Sequence, residues 1–215
     1  MVTRPGGRSD ELVALLEPIL DRLEAAHRAR EAGLAACRRT IRACGQAIRA
    51  VHRREPEEAE RFTAQAREAL REAQEALGPH PAVAFAGFLH DAEKEYAEAV
   101  LTVCLVGGGP LPEAAAIGVQ PVAWLGGLCE AASELRRHLL DRMRAGELEV
   151  AEDLLHAMED VYDLLVTVDY PDALTGGLRR MADALRAVLE RSRADLTTTF
   201  MQSRLQAALQ ERLKD

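Results

Sequence analysis

The chain has 215 residues and is 48% hydrophobic but only 4% aromatic, so its core has to be built from Ala, Leu and Val. The net charge of −8 argues against non-specific nucleic-acid binding by the molecule as a whole. No apolar run reaches the roughly 18 residues of a membrane span. Because the N-terminus also lacks an apolar signal region and the four cysteines are scattered, we expect a cytoplasmic protein with reduced thiols.

Helix signals follow one another along the chain, and no alternating strand pattern is present. Pro18 is expected either to kink the long first helix or to mark its start near Glu17. The predicted helices span approximately residues 10–54, 56–77, 82–106, 120–145, 148–168, 177–193 and 195–213. The pattern predicts an all-α, single-domain bundle of seven helices over residues 10–215, preceded by a flexible N-terminus, residues 1–9.

The third predicted helix carries acids that lead directly into an apolar segment. Asp91, Glu95 and Glu98 share one face, because positions i, i+3 and i+4 of a helix are neighbours. Residues 99–106 are apolar apart from Thr102, which is typical of a buried helix. Carboxylates at the edge of a buried environment bind a cation, pair with arginine or shift their pKa.

A second acidic pair, Glu130 and Glu134, lies on the fourth predicted helix, opposite its leucine stripe. In a chain with 29% charged residues such a pair arises easily by chance, and alone it indicates a solvated face. Gly126 and Gly127, however, would let another backbone approach closely. If the third and fourth helices face one another, four carboxylates converge, and hard oxygen ligands of this kind suit Mg²⁺ or Mn²⁺.

Arginines are concentrated between residues 28 and 54, where eight of them stand against one acid, Glu31. This pattern indicates either a basic strip on an acidic body or an arginine face that pairs with acidic neighbouring helices. The six histidines show no metal-binding spacing, and most are expected at the surface. Trp124 is expected in packing or in a subunit contact rather than in base stacking.

Several segments, in order along the chain, resemble one known family. They cover the region from Arg28 to Arg193, and their order and spacing together are more specific than any one of them. EYAEA (95–99) resembles the E-Y-V-E-A segment of TRAX, the translin-associated subunit. The segments similar to translin and TRAX sequences are CRRT (37–40), QPVAWL (120–125), SEL (133–135), AGE (145–147) and VYD (161–163).

The resemblance implies a TRAX-like subunit of a prokaryotic kind, with a metal-dependent ribonuclease site. Its metal-binding and catalytic residues would be Glu95, Glu98 and Glu130, with Glu134 one turn further on. Glu130 departs from the family pattern, in which an aspartate stands at this position, and its side chain is one methylene longer. The implied cofactor is Mg²⁺ or Mn²⁺. The implied assembly is a hollow homo-oligomer, an octamer, that encloses single-stranded RNA and possibly single-stranded DNA.

The resemblance also turns the basic strip into the candidate phosphate-binding surface. Arginine binds phosphate through paired hydrogen bonds without sequence preference. The residues concerned are Arg38, Arg39, Arg42, Arg49 and Arg53. A second departure from translin is residues 82–88, which are apolar where translin's third helix starts with basic residues, so weaker nucleic-acid binding is expected.

Three other functions remain open on the sequence alone. A non-catalytic, translin-like ring would bind nucleic acid without cleaving it. An all-α nucleotide pyrophosphohydrolase of the MazG or dimeric dUTPase kind also combines E-x-x-E with a later acidic pair, although that later pair is E-x-x-D and here it is E-x-x-x-E. A helical scaffold without chemistry is the third.

Overall fold

A computed structural model describes residues 8–84 and 86–213, and within these ranges the only regular secondary structure is helical. The all-α class is therefore confirmed. The helices are α1 (Arg8–His52), α2 (Pro56–Leu77), α3 (Pro81–Ala84), α4 (Phe88–Gly107), α5 (Ala114–Ile117), α6 (Pro121–Arg144), α7 (Leu148–Leu165), α8 (Asp172–Thr175) and α9 (Leu178–Arg212).

The predicted number of seven helices is wrong, because the described residues form nine, three of them with only four residues. The predicted third helix is split into α3 and α4 at Gly87, whose φ of 97° is not helical. Conversely, the last two predicted helices form the single helix α9, because residues 178–212 contain no glycine or proline.

The first helix is continuous through Pro18, which lies inside α1. Residues 1–7 of the predicted flexible N-terminus lie outside the described residues, whereas Arg8 and Ser9 belong to α1. Of the apolar segment predicted to be buried, Leu101 and Thr102 are buried, but residues 103–106 are half-buried.

The long helices form two groups of three. In the first group α1 packs against α2 and α4, and α2 also contacts α4. In the second group α6 packs against α7 and α9, which also contact each other. The contact between α4 and α6 joins the groups. The core consists mainly of alanine and leucine, and valine, the third residue type predicted for it, is a minor component. Among the described residues Tyr96 is the only buried Phe, Trp or Tyr.

Two helix ends remain outside this packing. The first buried residue of α1 is Gly33, so residues 8–32, which we name the α1 arm, extend roughly 37 Å at 1.5 Å per residue. Large apolar side chains of the arm are between 49% and 61% exposed: Leu12, Leu15, Leu16, Ile19, Leu20 and Leu23. The end of α9 likewise exposes Met201, Leu205 and Leu209.

A tryptophan side chain connects a loop to α6. The indole Nε1 of Trp124, near the start of α6, donates a hydrogen bond of 2.9 Å to the backbone carbonyl of Pro112. This bond attaches the loop after α4 to α6. A separate finding is that none of the described helices combines the length and the apolar character needed to cross a membrane.

Candidate metal centre

The candidate site is formed where α4 and α6 touch. A Cβ atom added to Gly127 would lie 2.6 Å from the Cβ of Ala97 and 2.7 Å from the backbone nitrogen of Glu98. The two helices can approach this closely only because Gly127 has no side chain. The close backbone approach predicted from the glycines is therefore confirmed, and it places the acids of α4 against those of α6.

Three of the four predicted acids come together. Glu95, Glu98 and Glu130 each offer a carboxylate oxygen, and these oxygens all lie within 4.8 Å of one another. Glu134 is not in this group. Its Oε2 instead lies 2.7 Å from Nε2 of His52, at the end of α1. Asp91, on the same predicted face, is exposed and also stands outside the group.

Two of the three carboxyl groups, those of Glu95 and Glu98, lie in an environment that disfavours their charge. Glu98 is only 8% exposed. Burial, and after it the neighbouring carboxylates with Glu130 first, together raise its pKa to about 9. Burial also raises the pKa of Glu95, against the opposing effect of Lys94. The cluster therefore favours binding of positive charge, either protons or a cation.

A lysine already supplies part of that charge. The ammonium nitrogen Nζ of Lys94 lies 2.5 Å from both carboxylate oxygens of Glu130 and 3.6 Å from Oε1 of Glu95. Burial lowers the pKa of Lys94, but the hydrogen bond to Glu130 and the nearby carboxylates outweigh burial, and the net pKa is raised. Lys94 is not among the site residues predicted from the sequence. The sequence feature that could have indicated it is its rarity, since only two of the 27 basic residues are lysines.

His52 is the second residue that sequence reasoning missed. Its side chain is only 5% exposed, and its Nδ1 has no hydrogen-bond partner within the described residues. Since Glu134 accepts through a carboxylate oxygen, Nε2 of His52 carries the hydrogen. This bond joins α1 to α6 beside the acids. His52 and the buried His138 are exceptions to the predicted surface placement of the histidines.

Glu93 belongs to the structure of the site rather than to its ligand set. It is 4% exposed and accepts a hydrogen bond of 2.8 Å from Nε2 of Gln74. Its second oxygen accepts one of 3.2 Å from the backbone N–H of Gln120, directly before α6. Glu93 thereby fixes the start of α6 relative to α2 and α4.

The predicted basic strip is exposed along α1, but it is not uniform. Arg39 forms an ion pair with Glu72 of α2, and Arg53 pairs with Glu55. No carboxylate among residues 8–84 and 86–213 pairs with Arg38, Arg42 or Arg49. These three lie within a sector of about 40° on α1 at 100° per residue. Both interpretations of the strip therefore hold, each for a part of it.

The chain is similar to several known proteins. No protein-family model matches the chain. An uncharacterized protein of Methanocaldococcus jannaschii is 26% identical over 185 residues, which are 84% of this chain and 80% of that protein. C3PO from Neurospora, at 16% identity and a TM-score of 0.78, covers 86% of this chain and 96% of its own, and shows the fold alone.

Two solved structures of C3PO from Archaeoglobus are more similar in sequence. Both have a TM-score of 0.79 and 30% identity, and they cover 87% of this chain and 97% of their own. One of them is a complex with duplex RNA. The chain therefore belongs to the translin/TRAX family, which includes C3PO.

Proposed function

We propose that this chain is a divalent-metal-dependent endoribonuclease whose metal ligands are Glu95, Glu98 and Glu130. The observation that carries the proposal is the convergence of these three carboxylates, from two helices, within 4.8 Å. The residues fit a cation, because carboxylate oxygens are the ligands that Mg²⁺ and Mn²⁺ prefer. The Lys94 ammonium on Glu130 supports this, since it is positive charge bound by the same oxygens.

A divalent cation bound here would make a water molecule easier to deprotonate and would offset negative charge developing on a phosphodiester. The chain's own residues would orient the reacting groups. The long side chain of Glu130 reaches the other two acids from α6, so the methylene that distinguishes it from the family's aspartate does not prevent convergence. Glu134, held by His52, adds negative charge beside the ligands without belonging to their group.

The proposed substrate is RNA. Arg38, Arg42 and Arg49 lack carboxylate partners within the described residues and are therefore the members of the basic strip best placed to bind phosphates. Such binding is not sequence-specific and weakens as salt rises. The resemblance favours single-stranded RNA, and the duplex RNA in the Archaeoglobus C3PO complex adds double-stranded RNA as a second substrate to test.

The proposed working form is a homo-oligomer, with the family's octamer as the expected size. The exposed leucines of the α1 arm and the apolar end of α9 support assembly, because contiguous exposed apolar surface marks interaction sites. In a hollow assembly the acids and the unpaired arginines would face an enclosed RNA.

The decisive test is cleavage of labelled single-stranded and duplex RNA in Mg²⁺, Mn²⁺ or EDTA. We expect cuts that need the metal and that fall by roughly 10²-fold or more in Glu95→Ala/Glu98→Ala. The matched control is Glu57→Ala/Glu60→Ala, an exposed pair of the same spacing on α2, which should cleave like the wild type. Equal cleavage by the site variant and by its control would contradict the proposal.

A non-catalytic, translin-like RNA-binding ring is the second candidate. The observation in its favour is that Lys94 occupies the acid cluster, which a purely structural ion pair would also do. This candidate predicts that the same RNA is bound but stays intact in every metal. If RNA is neither bound nor cut, a panel of nucleoside triphosphates tests the pyrophosphohydrolase alternative.

A further inference from the structure

The side chain of Lys94, a residue of α4, packs against α6 in a defined position. A Cβ atom added to Gly126 would stand 3.2 Å from both Cγ and Cδ of Lys94, so the aliphatic part of the lysine passes across this glycine. The Lys94 side chain is only 19% exposed. Gly126 thus leaves space for the lysine stem, next to Gly127, which admits the backbone of α4.

The ammonium group occupies space that a metal ion would need. It contacts both oxygens of Glu130 and approaches Glu95, and both residues are proposed ligands. A divalent cation bound to the same oxygens therefore could not coexist with Nζ at this position. Lysine suits such a role better than arginine would, because its charge is a compact ammonium on a flexible stem, whereas guanidinium is a broad planar fork.

We propose that Lys94 is an internal competitor for the divalent cation, and that its ammonium group leaves Glu130 when the cation binds. This inference rests on the proposed function, since it concerns the same three carboxylates. Its consequence is a higher cation concentration for half-saturation. If the lysine-free arrangement is populated at about 1–10% in the absence of metal, the apparent affinity is about ten- to a hundredfold weaker than that of the unobstructed site.

Mn²⁺ binding by isothermal calorimetry tests this without any substrate. Lys94→Met keeps an unbranched side chain that matches the lysine stem and removes the charged nitrogen, and we expect its Mn²⁺ affinity to be about ten- to a hundredfold tighter than that of the wild type. The matched control is Arg71→Met, which changes the net charge equally. Arg71 is exposed, and within the described residues its ion pairs are with Glu68 and Glu75 of its own helix. An unchanged or weaker affinity of Lys94→Met, or an equal gain in Arg71→Met, would overturn the proposal.

A second measurement observes the lysine itself in the wild-type protein. The chain has only two lysines, Lys94 and Lys214, so acylation of each can be followed by peptide mass spectrometry. We expect Lys94 to react slowly without metal and several-fold faster in saturating Mg²⁺, relative to Lys214 as the internal reference. A rate that stays constant or falls would show that the ammonium remains in place, and would overturn the proposal.

These readouts separate the inference from the proposed function. Tighter Mn²⁺ binding by Lys94→Met together with intact RNA would leave the competition established and the nuclease activity refuted. Metal-dependent RNA cleavage together with unchanged Mn²⁺ affinity in Lys94→Met would leave the nuclease standing and refute the competition.

Discussion

The α1 arm differs from the α4–α6 contact in how much of it is completed within a single chain. The α4–α6 contact is complete within one chain: Gly127 admits the neighbouring backbone, three carboxylates converge, and Lys94 supplies countercharge. The α1 arm instead presents a stripe of leucines with little of the chain packed against it. On the proposed function, a single subunit would therefore build the metal site, whereas the arm would be a surface for other copies. A variant that disrupts one of these regions should therefore leave the other intact.

The largest effect is expected from the arm. Leu16→Glu/Leu20→Glu places two charges one turn apart in its apolar stripe, at positions that are 49% and 53% exposed. Because these charges would be desolvated in an interface, we expect the assembly mass to fall at least about twofold in analytical ultracentrifugation, a dimer being the smallest assembly. Calorimetric Mn²⁺ affinity should be unchanged.

The control for the arm is Ala14→Glu/Ala32→Glu, which adds two acids at exposed positions on the opposite side of the same helix. It should keep the mass of the wild type. If Leu16→Glu/Leu20→Glu also kept that mass, the arm would not be an assembly surface. If it lost Mn²⁺ binding, the two regions would not be independent.

The next largest effect is expected at the α4–α6 contact. Gly127→Ala would force a methyl group to within 2.6–2.8 Å of Ala97, Glu98 and Lys94, so the helices must separate. We expect the free energy of unfolding to fall by about 1–3 kcal/mol, measured by urea denaturation. Gly107→Ala is the control, because nothing lies within 4 Å of its added Cβ. Equal stability of the two variants would contradict the close contact.

The smallest effect is a pH dependence. The pKa of Glu98 is raised to about 9 in the fold, so its neutral form is stabilised there, whereas in the unfolded chain it titrates as an ordinary carboxyl group. The free energy of unfolding of the metal-free protein should therefore be highest at a pH below the pKa of an ordinary glutamate. It should fall as the pH rises from there towards 9. Glu98→Gln should stabilise the metal-free protein at pH 7 by on the order of 1 kcal/mol.

Thermal denaturation in EDTA between pH 5 and about 9 measures this effect. Glu57→Gln is the control, since that residue is exposed on α2 and is not a member of the carboxylate cluster. A wild-type curve and a Glu98→Gln curve that run parallel over this range would show that Glu98 is not held neutral. Mg²⁺, which requires the ionised carboxyl, should bind more tightly as the pH rises.

The fold was predictable where local signals decide it. Proline and glycine mark the ends of most long helices, and the long α1 and the all-α class follow from periodicity. The count of helices failed where single turns occupy loops, since α5 and α8 have four residues each and carry no periodic pattern. No glycine or proline supports the break that was predicted near residue 194. The helix α9 is continuous there, with Ser192 and Leu196 buried on either side.

The site was predictable where spacing along a helix is enough. Glu95 and Glu98 share a face of α4 because they are three residues apart, and the glycines of α6 indicated the approach of a second helix. The contacts of Lys94 and His52 were not predictable, because each bridges separate helices. His52 and Glu134 are 82 residues apart in sequence, and no local pattern encodes their hydrogen bond.

Trp124, held in place by its hydrogen bond, gives the protein an intrinsic fluorescent probe. This indole is the only one in the chain, so all tryptophan emission originates at the junction between the loop after α4 and the start of α6. Its ring is half-buried and anchored to the carbonyl of Pro112. The emission spectrum therefore reports on the start of α6, the helix that carries Glu130, and an unmodified sample contains its own probe for the state of that junction.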